Sequence, residues 1–287
     1  MNIIDDLKLQ YNSGGIVIRL LFWNVICFLV SLLFFFQFKT GAFDFPTWIA
    51  LSSEPSNFIF KPWTLLTYAF VHDGFWHLFF NMVVLNFSSS LFLTFFTPKQ
   101  YLGLYILSAI FAGIVFVLAY YFMNLNSSIV GASAAIMGIL VGTTTYRPLM
   151  EIRLLLIGNV KLWQISAVII ILDLMQFRLE NTGGHISHLS GAFFGFIFIK
   201  LLQNGTDLSE IVTLFLDFFA NLFKKSNSKP FKKVHKNFSR PVGKSASRII
   251  VKDKSQQQID EILDKISQSG YDSLTKEEKE FLFKAGK

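Results

Sequence analysis

Cysteine, charge and ready-made catalytic signatures are all scarce in this chain. The single cysteine, Cys27, excludes a disulfide framework and a thiolate metal cluster; set in an apolar run, it reads as a buried packing residue. Charged residues make up only 16% of the chain against 52% hydrophobic, a balance too apolar for a soluble domain. No His-Glu-x-x-His, Walker loop or paired-glycine nucleotide fingerprint occurs, which leaves metalloprotease and ATP-driven chemistry without support. Acidic residues are outnumbered as well: 19 Asp and Glu face 26 Lys and Arg, for a net charge of +7. The basic excess falls in the last third, after the apolar part ends. A juxtamembrane tail facing an anionic cytoplasmic leaflet explains that better than nucleic-acid binding.

What the chain has in abundance is apolar length. Residues 16–38 form a first span, longer than a signal-peptide core and followed by no small-residue cleavage site, so it is expected to be retained. Residues 39–75 are a long connection whose Pro46, Trp48, Pro55, Pro62 and Trp63 suit the membrane interface. A second span begins at Trp76 or His77 and is ended by Pro98; a third covers 101–122. The polar stretch 124–128 leads into a fourth helix, 131–146. At about 16 residues it is short for a full span and is expected to begin below the membrane surface. Residues 147–161 read as a connection with part-helical character, followed by a fifth span at 162–177 and a sixth at 183–202.

Beyond the sixth span, Asp207, Glu210 and Asp217 mark 207–223 as an interfacial helix rather than another span. Residues 224–254 are a basic, Ser/Asn-rich linker. Ile259, Ile262, Leu263 and Ile266 then repeat at helical spacing, Gly270 breaks that helix, and Thr275 with Glu278 forms a capping-box pattern. The divisions expected are a membrane domain at 1–205, an interfacial amphipathic helix with the linker at 206–255, and a small helical hairpin at 256–287. Six spans place both termini on one side. Lys99, Arg147, Arg153, Lys161 and the basic tail fall there, while Lys39, Lys61 and Arg178 opposite are offset by Asp44, Glu54, Asp73 and Glu180. The positive-inside rule makes the first side cytoplasmic.

In that orientation the second, fourth and sixth helices start at similar depth near the outer leaflet, and the notable polar residues gather there: His77 and Asn81, Ser133, and His188. Polar and ionisable groups at membrane depth are costly and face a bundle interior or a wet cavity. His188, Gly191 and Gly195 share a helix face, and Gly138 with Gly142 offers the matching small-residue seam. Pressing those faces together brings the Ser133 hydroxyl towards the His188 imidazole, a nucleophile beside a base suited to neutral pH. His77 and Asn81, four apart, can then donate to the oxyanion of a tetrahedral intermediate. The plainer alternatives are a packing serine in a Gly/Ala seam and a structural hydrogen-bonding pair. His185 lies one turn before His188 on the same face, but nearer the surface, where solvation is expected. Asp173 reads as paired or water-exposed rather than catalytic, and Ser88 to Ser90 as hydroxyls bonding back to their own helix.

Gly131-Ala132-Ser133, His72-x4-His77-x3-Asn81 and His188-x2-Gly191-x3-Gly195, in this order on alternate helices, resemble the rhomboid intramembrane serine proteases over roughly residues 10–205. The resemblance implies an all-α membrane protein, a six-transmembrane-helix rhomboid-like bundle with a cytoplasmic helical tail, in a bacterial inner membrane. It implies a Ser133–His188 dyad with no acidic third member, and His77 and Asn81 at the oxyanion site. No cofactor or metal is implied. The partners implied are transmembrane helices of substrate proteins, cut near the outer face, within the lipid bilayer. The hairpin from Ile259 onward is similar to a tail on some bacterial rhomboids. Two departures stand out: Ala134 follows the serine where the family usually has Gly, and Thr64 follows Trp63 where it often has Arg. A catalytically silent rhomboid-like protein that escorts membrane helices is the alternative reading. A small transporter would instead place charged residues along a midplane path, which this chain does not.

Overall fold

The computed structural model describes residues 2–154, 157–176, 181–223 and 254–285. The chain forms two compact units, 1–225 and 226–287. The basic linker expected at 224–254 lies outside the described residues apart from its last position, as do Arg178 and Glu180.

The first unit opens with α1 (Ile3–Ser13) and α2 (Gly15–Phe34), then a small hairpin, β1 (Phe36–Gln37) against β2 (Ala42–Phe43). The first span therefore ends earlier than its apolar composition suggests, because the chain turns back at Gly41 with φ +68°. The long connection that follows is well anchored. Its β3 (Leu51–Ser52) pairs with β4 (Ser128–Ile129), just ahead of Gly131. The short helices α3 (Pro55–Phe60) and α4 (Thr64–Thr67) carry it on. The Trp63 indole donates to the Trp48 carbonyl at 2.9 Å, the Tyr68 hydroxyl donates to the Ala109 carbonyl at 2.8 Å, and the Gly131 amide donates to the Tyr68 carbonyl at 2.8 Å. Thr64 itself is buried and donates to the Lys61 carbonyl.

Next come α5 (Phe75–Phe92), α6 (Pro98–Met123), α7 (Ser133–Tyr146), α8 (Leu162–Gln176) and α9 (Thr182–Gln203). Among the described residues four helices, α2, α5, α6 and α9, are long and apolar enough to cross a membrane; α7 and α8 are apolar but shorter. The centre of the bundle is α6, started by a Thr97–Gln100 capping box with Pro98 in its first turn. It buries Tyr101, Leu104, Tyr105, Ala109, Ala112 and Phe116 completely. Against it lies α7, buried on almost every side because its Gly, Ala and Ser residues admit α5, α6 and α9 together. By contrast, α8 packs on α9 and α7 with one side only and leaves Val168, Ile171, Leu174 and Met175 exposed. In α5, Ser88 and Ser90 bond back to the carbonyls of Val84 and Asn86, whereas Ser89 reaches across to the Tyr101 hydroxyl at 2.7 Å.

Among its described residues the connection 147–161 is not helical. It is a hairpin of β5 (Glu151–Leu154) and β6 (Gly158–Lys161), with Ile152 opposite Val160. Pro148 cannot continue a helix, the side chains of 151–154 alternate exposed and half-buried, and Gly158 takes φ +90° at the turn. After α9, α10 (Ser209–Phe223) packs on the start of α6. Asp207 accepts there from Ser209 and Gln100, and Gly103 lies against Ser209.

The second unit is a helical hairpin, α11 (Lys254–Ser269) and α12 (Lys276–Ala285). Gly270 takes φ +78° between them, and Ile262 and Leu274 are buried while Leu263 faces outward. Thr275 and Glu278 form the reciprocal cap expected of their spacing, and Lys265 bonds both Glu278 oxygens at 2.8 and 3.0 Å.

Candidate active site

Helix α7 begins at Ser133 because Gly131 ahead of it holds φ +124°, a conformation that side-chain-bearing residues avoid. Space makes the same demand: a Cβ on Gly131 would stand 2.7 Å from His77 Nε2. Ser133 thus becomes the first helical residue, beside first-turn amides that have no carbonyl to bond within the helix. Ala134 lies in regular helix, and among the described residues only Asn124 and Asn181 are non-glycines with positive φ. The departure from the usual glycine at 134 therefore imposes no backbone strain.

The small-residue seam closes α7 on α9 backbone to backbone. A Cβ added to Gly191 would overlap the Ala134 carbonyl, and one on Gly195 would overlap the Gly138 carbonyl. This approach carries His188 Nε2 to 2.6 Å from Ser133 Oγ. The imidazole is 25% exposed.

The other side of that imidazole differs from expectation. His188 Nδ1 stands 2.9 Å from Asp173 Oδ1 on α8, and His185 Nδ1 stands 2.6 Å from the same oxygen. The histidine facing the serine therefore has an acidic partner where a bare dyad was expected. Asp173 is paired as expected, but it is buried rather than exposed to water. His185 is not solvated: its ring is 12% exposed and turned inward to the carboxylate. Positions 185 and 188 share one face of α9, and α8 lies against that face. The signal in the sequence was a single acid in the apolar run 162–176 together with two histidines three apart. Nothing in the one-dimensional pattern fixes which face of α8 meets α9.

Across the site, His77 Nδ1 pairs with Asp73, and the hydrogen bond from His77 holds the Asp73 carboxyl below the usual carboxylate range. With Nδ1–H committed to Asp73, Nε2 can donate to an anion only when the ring carries its second proton. Asn81 is buried, and its Nδ2 has no partner among the described residues. A buried amide donor left unpaired is costly and asks for a ligand or water. His77, Asn81, Ser133, Asp173 and His188 all line one cavity of about 690 Å³. His72, the first residue of its motif, is elsewhere: fully buried against the His77 ring at 5.1 Å, with burial pushing its pKa down to about 3. Burial thus favours the neutral ring, whose two nitrogens have no hydrogen-bond partner among the described residues.

The donor atoms of Asp173, His185 and His188 lie within 4.8 Å of one another. Nitrogen and oxygen ligands of zinc surround the ion at about 2.0–2.2 Å. Here both histidines instead bond the carboxylate oxygen directly, and hydrogen bonding accounts for the cluster.

A family model described as the Rhomboid domain matches residues 60–204, and one described as a family of unknown function (DUF6576) matches residues 250–284. No curated protein matches the chain. The first match runs from the last residue of α3 to just past the end of α9 and contains every residue of the cavity described above. Together with the apolar helices it makes the chain an integral membrane protein, and a member of the rhomboid family.

Proposed function

We propose that the chain is an intramembrane serine endopeptidase that cleaves transmembrane segments of other proteins near the outer face of the membrane. The observation that carries this reading is the 2.6 Å approach of His188 Nε2 to Ser133 Oγ inside a cavity that also holds the unpaired amide of Asn81. His188 Nε2 takes the proton as Ser133 Oγ attacks the scissile carbonyl carbon. The resulting oxyanion accepts from Asn81, from His77 and from the free amides at the start of α7. Collapse breaks the C–N bond, and the leaving amine takes the proton from His188. Water then repeats the sequence on the acyl-enzyme and releases the carboxylate and the free serine.

The proposed arrangement has six spans, α2, α5, α6, α7, α8 and α9, in a bacterial inner membrane with both termini cytoplasmic. Its support is that polar residues from the starts of α5, α7 and α9 meet in one cavity, as they do when alternate helices run in the same direction. The domain division at 205 and 255, and substrate helices as partners, belong to the same proposal. No cofactor or metal enters the chemistry.

Labelling of the purified, detergent-solubilised protein with a fluorophosphonate tests the reading. Covalent labelling of the wild type, lost in Ser133→Ala and in His188→Ala, is expected. Labelling that persists in Ser133→Ala would sink it. A folded wild type that neither labels nor cuts a transmembrane model substrate in vesicles would be the silent, helix-binding protein instead.

A further inference from the structure

Asp173 interrupts the apolar sequence of α8, and its carboxylate is buried with Oδ1 between two imidazoles and Oδ2 without a partner among the described residues. A carboxylate at membrane depth is expensive to keep. Resting on the serine-protease reading above, we propose that Asp173 is a positioning residue: it fixes the tautomer and the aim of His188, so that the site works as a Ser133–His188–Asp173 relay rather than a dyad.

The argument is one of donors and acceptors. An ionised carboxylate only accepts, so the 2.9 Å contact places the proton of neutral His188 on Nδ1. Nε2 then keeps its lone pair, which is the form required to take a proton from Ser133 Oγ at 2.6 Å. When that proton arrives, the ring becomes a cation facing a carboxylate, which lowers the energy of the charge separated in the attack. His185 bonds the same oxygen at 2.6 Å and holds the carboxylate against α9. This shared oxygen also ties α8, the helix that carries it, to the helix that carries the base. A purely structural tie between α8 and α9 would stabilise the fold without altering how fast Ser133 reacts.

Fluorophosphonate inactivation kinetics on the full chain in detergent separate the two roles. For Asp173→Asn, a near-isosteric change that removes the charge, the maximal inactivation rate is expected to fall about 100-fold. The probe's half-saturating concentration should stay within about threefold. For Asp173→Ala, added formate, a carboxylate able to enter the vacated space, should restore at least about tenfold of the loss. A folded Asp173→Asn protein that is inactivated as fast as wild type overturns the proposal and leaves the serine-protease reading standing. So does a slowed, folded Asp173→Ala protein that formate does not rescue. Nitrogen NMR of histidine-labelled wild type needs no variant: a His188 ring protonated on Nε2 rather than Nδ1 also overturns it. If wild-type labelling proves independent of Ser133, both the reading and this inference fall together.

Discussion

Gly191 of α9 lies so close to the Ala134 carbonyl of α7 that a Cβ on it would overlap that oxygen. Gly191 is three residues past His188 and Ala134 is one past Ser133, so this contact sets the distance between base and nucleophile. Gly191→Ala should therefore do two things at once. Overpacking costs about 1–3 kcal/mol, seen as a lower melting temperature in detergent. Pushing α9 off α7 also lengthens the 2.6 Å Ser133–His188 contact, and labelling of Ser133 should slow by about tenfold or more, since small misplacements of reacting groups are heavily penalised. A variant with unchanged melting and unchanged labelling would show that the seam does not set the site.

The two histidines of α9 are distinguished by what their Nε2 atoms face. His188 Nε2 faces Ser133, whereas His185 bonds Asp173 through Nδ1 and packs its ring edge-on against that of His188. His188→Ala is expected to reduce the labelling rate by about 10³-fold or more. His185→Ala removes one of two donors to Asp173 and should leave most of the rate. The reverse ranking, measured on the same preparation, would make His185 the base.

Asn81 offers a buried donor that nothing among the described residues accepts. If that amide meets the oxyanion, Asn81→Ala slows the chemical step about 10²–10³-fold, the range found for loss of one such donor. Probe affinity should hardly change, because the interaction exists chiefly in the transition state. A variant whose loss lies entirely in probe affinity would place Asn81 in ground-state binding instead.

Much of this site was legible in the sequence. Ser133, His188, His77 and Asn81 announced themselves as polar groups at the starts of alternate apolar helices, and the glycines at 138, 142, 191 and 195 indicated which faces meet. Lipid-facing segments restrict the backbone to helices, so hydrophobic runs translate almost directly into elements. Two features did not follow. The hairpin at 147–161 lies outside the apolar runs, where short-range propensity and turn chemistry decide, and its mixed sequence does not separate strand from helix. The Asp173 cluster depends on how α8 rotates about its own axis. An all-round apolar helix carries almost no moment to fix that rotation from sequence; the acid itself selects it, by turning to the two imidazoles.

Acid should destabilise the fold through His72 before most carboxylates titrate. In the folded protein this ring is fully buried, near His77 and Asp73, and burial pushes its pKa from 6.5 down to about 3. Above pH 6.5 the ring is neutral in both states and contributes no pH dependence. Below that, the unfolded chain binds a proton that the folded chain refuses, so stability falls as pH falls, until about pH 3 where the folded ring also titrates. The slope from this one group approaches about 1.4 kcal/mol per pH unit. His72→Phe removes the proton-binding site while retaining a buried ring. Its melting temperature, followed from pH 7 to about pH 4.5 in detergent, should decline more gently than that of wild type, even if its absolute stability differs. Parallel curves for the two proteins would mean that His72 binds its proton equally well in the folded and unfolded chains, so that burial does not depress its titration.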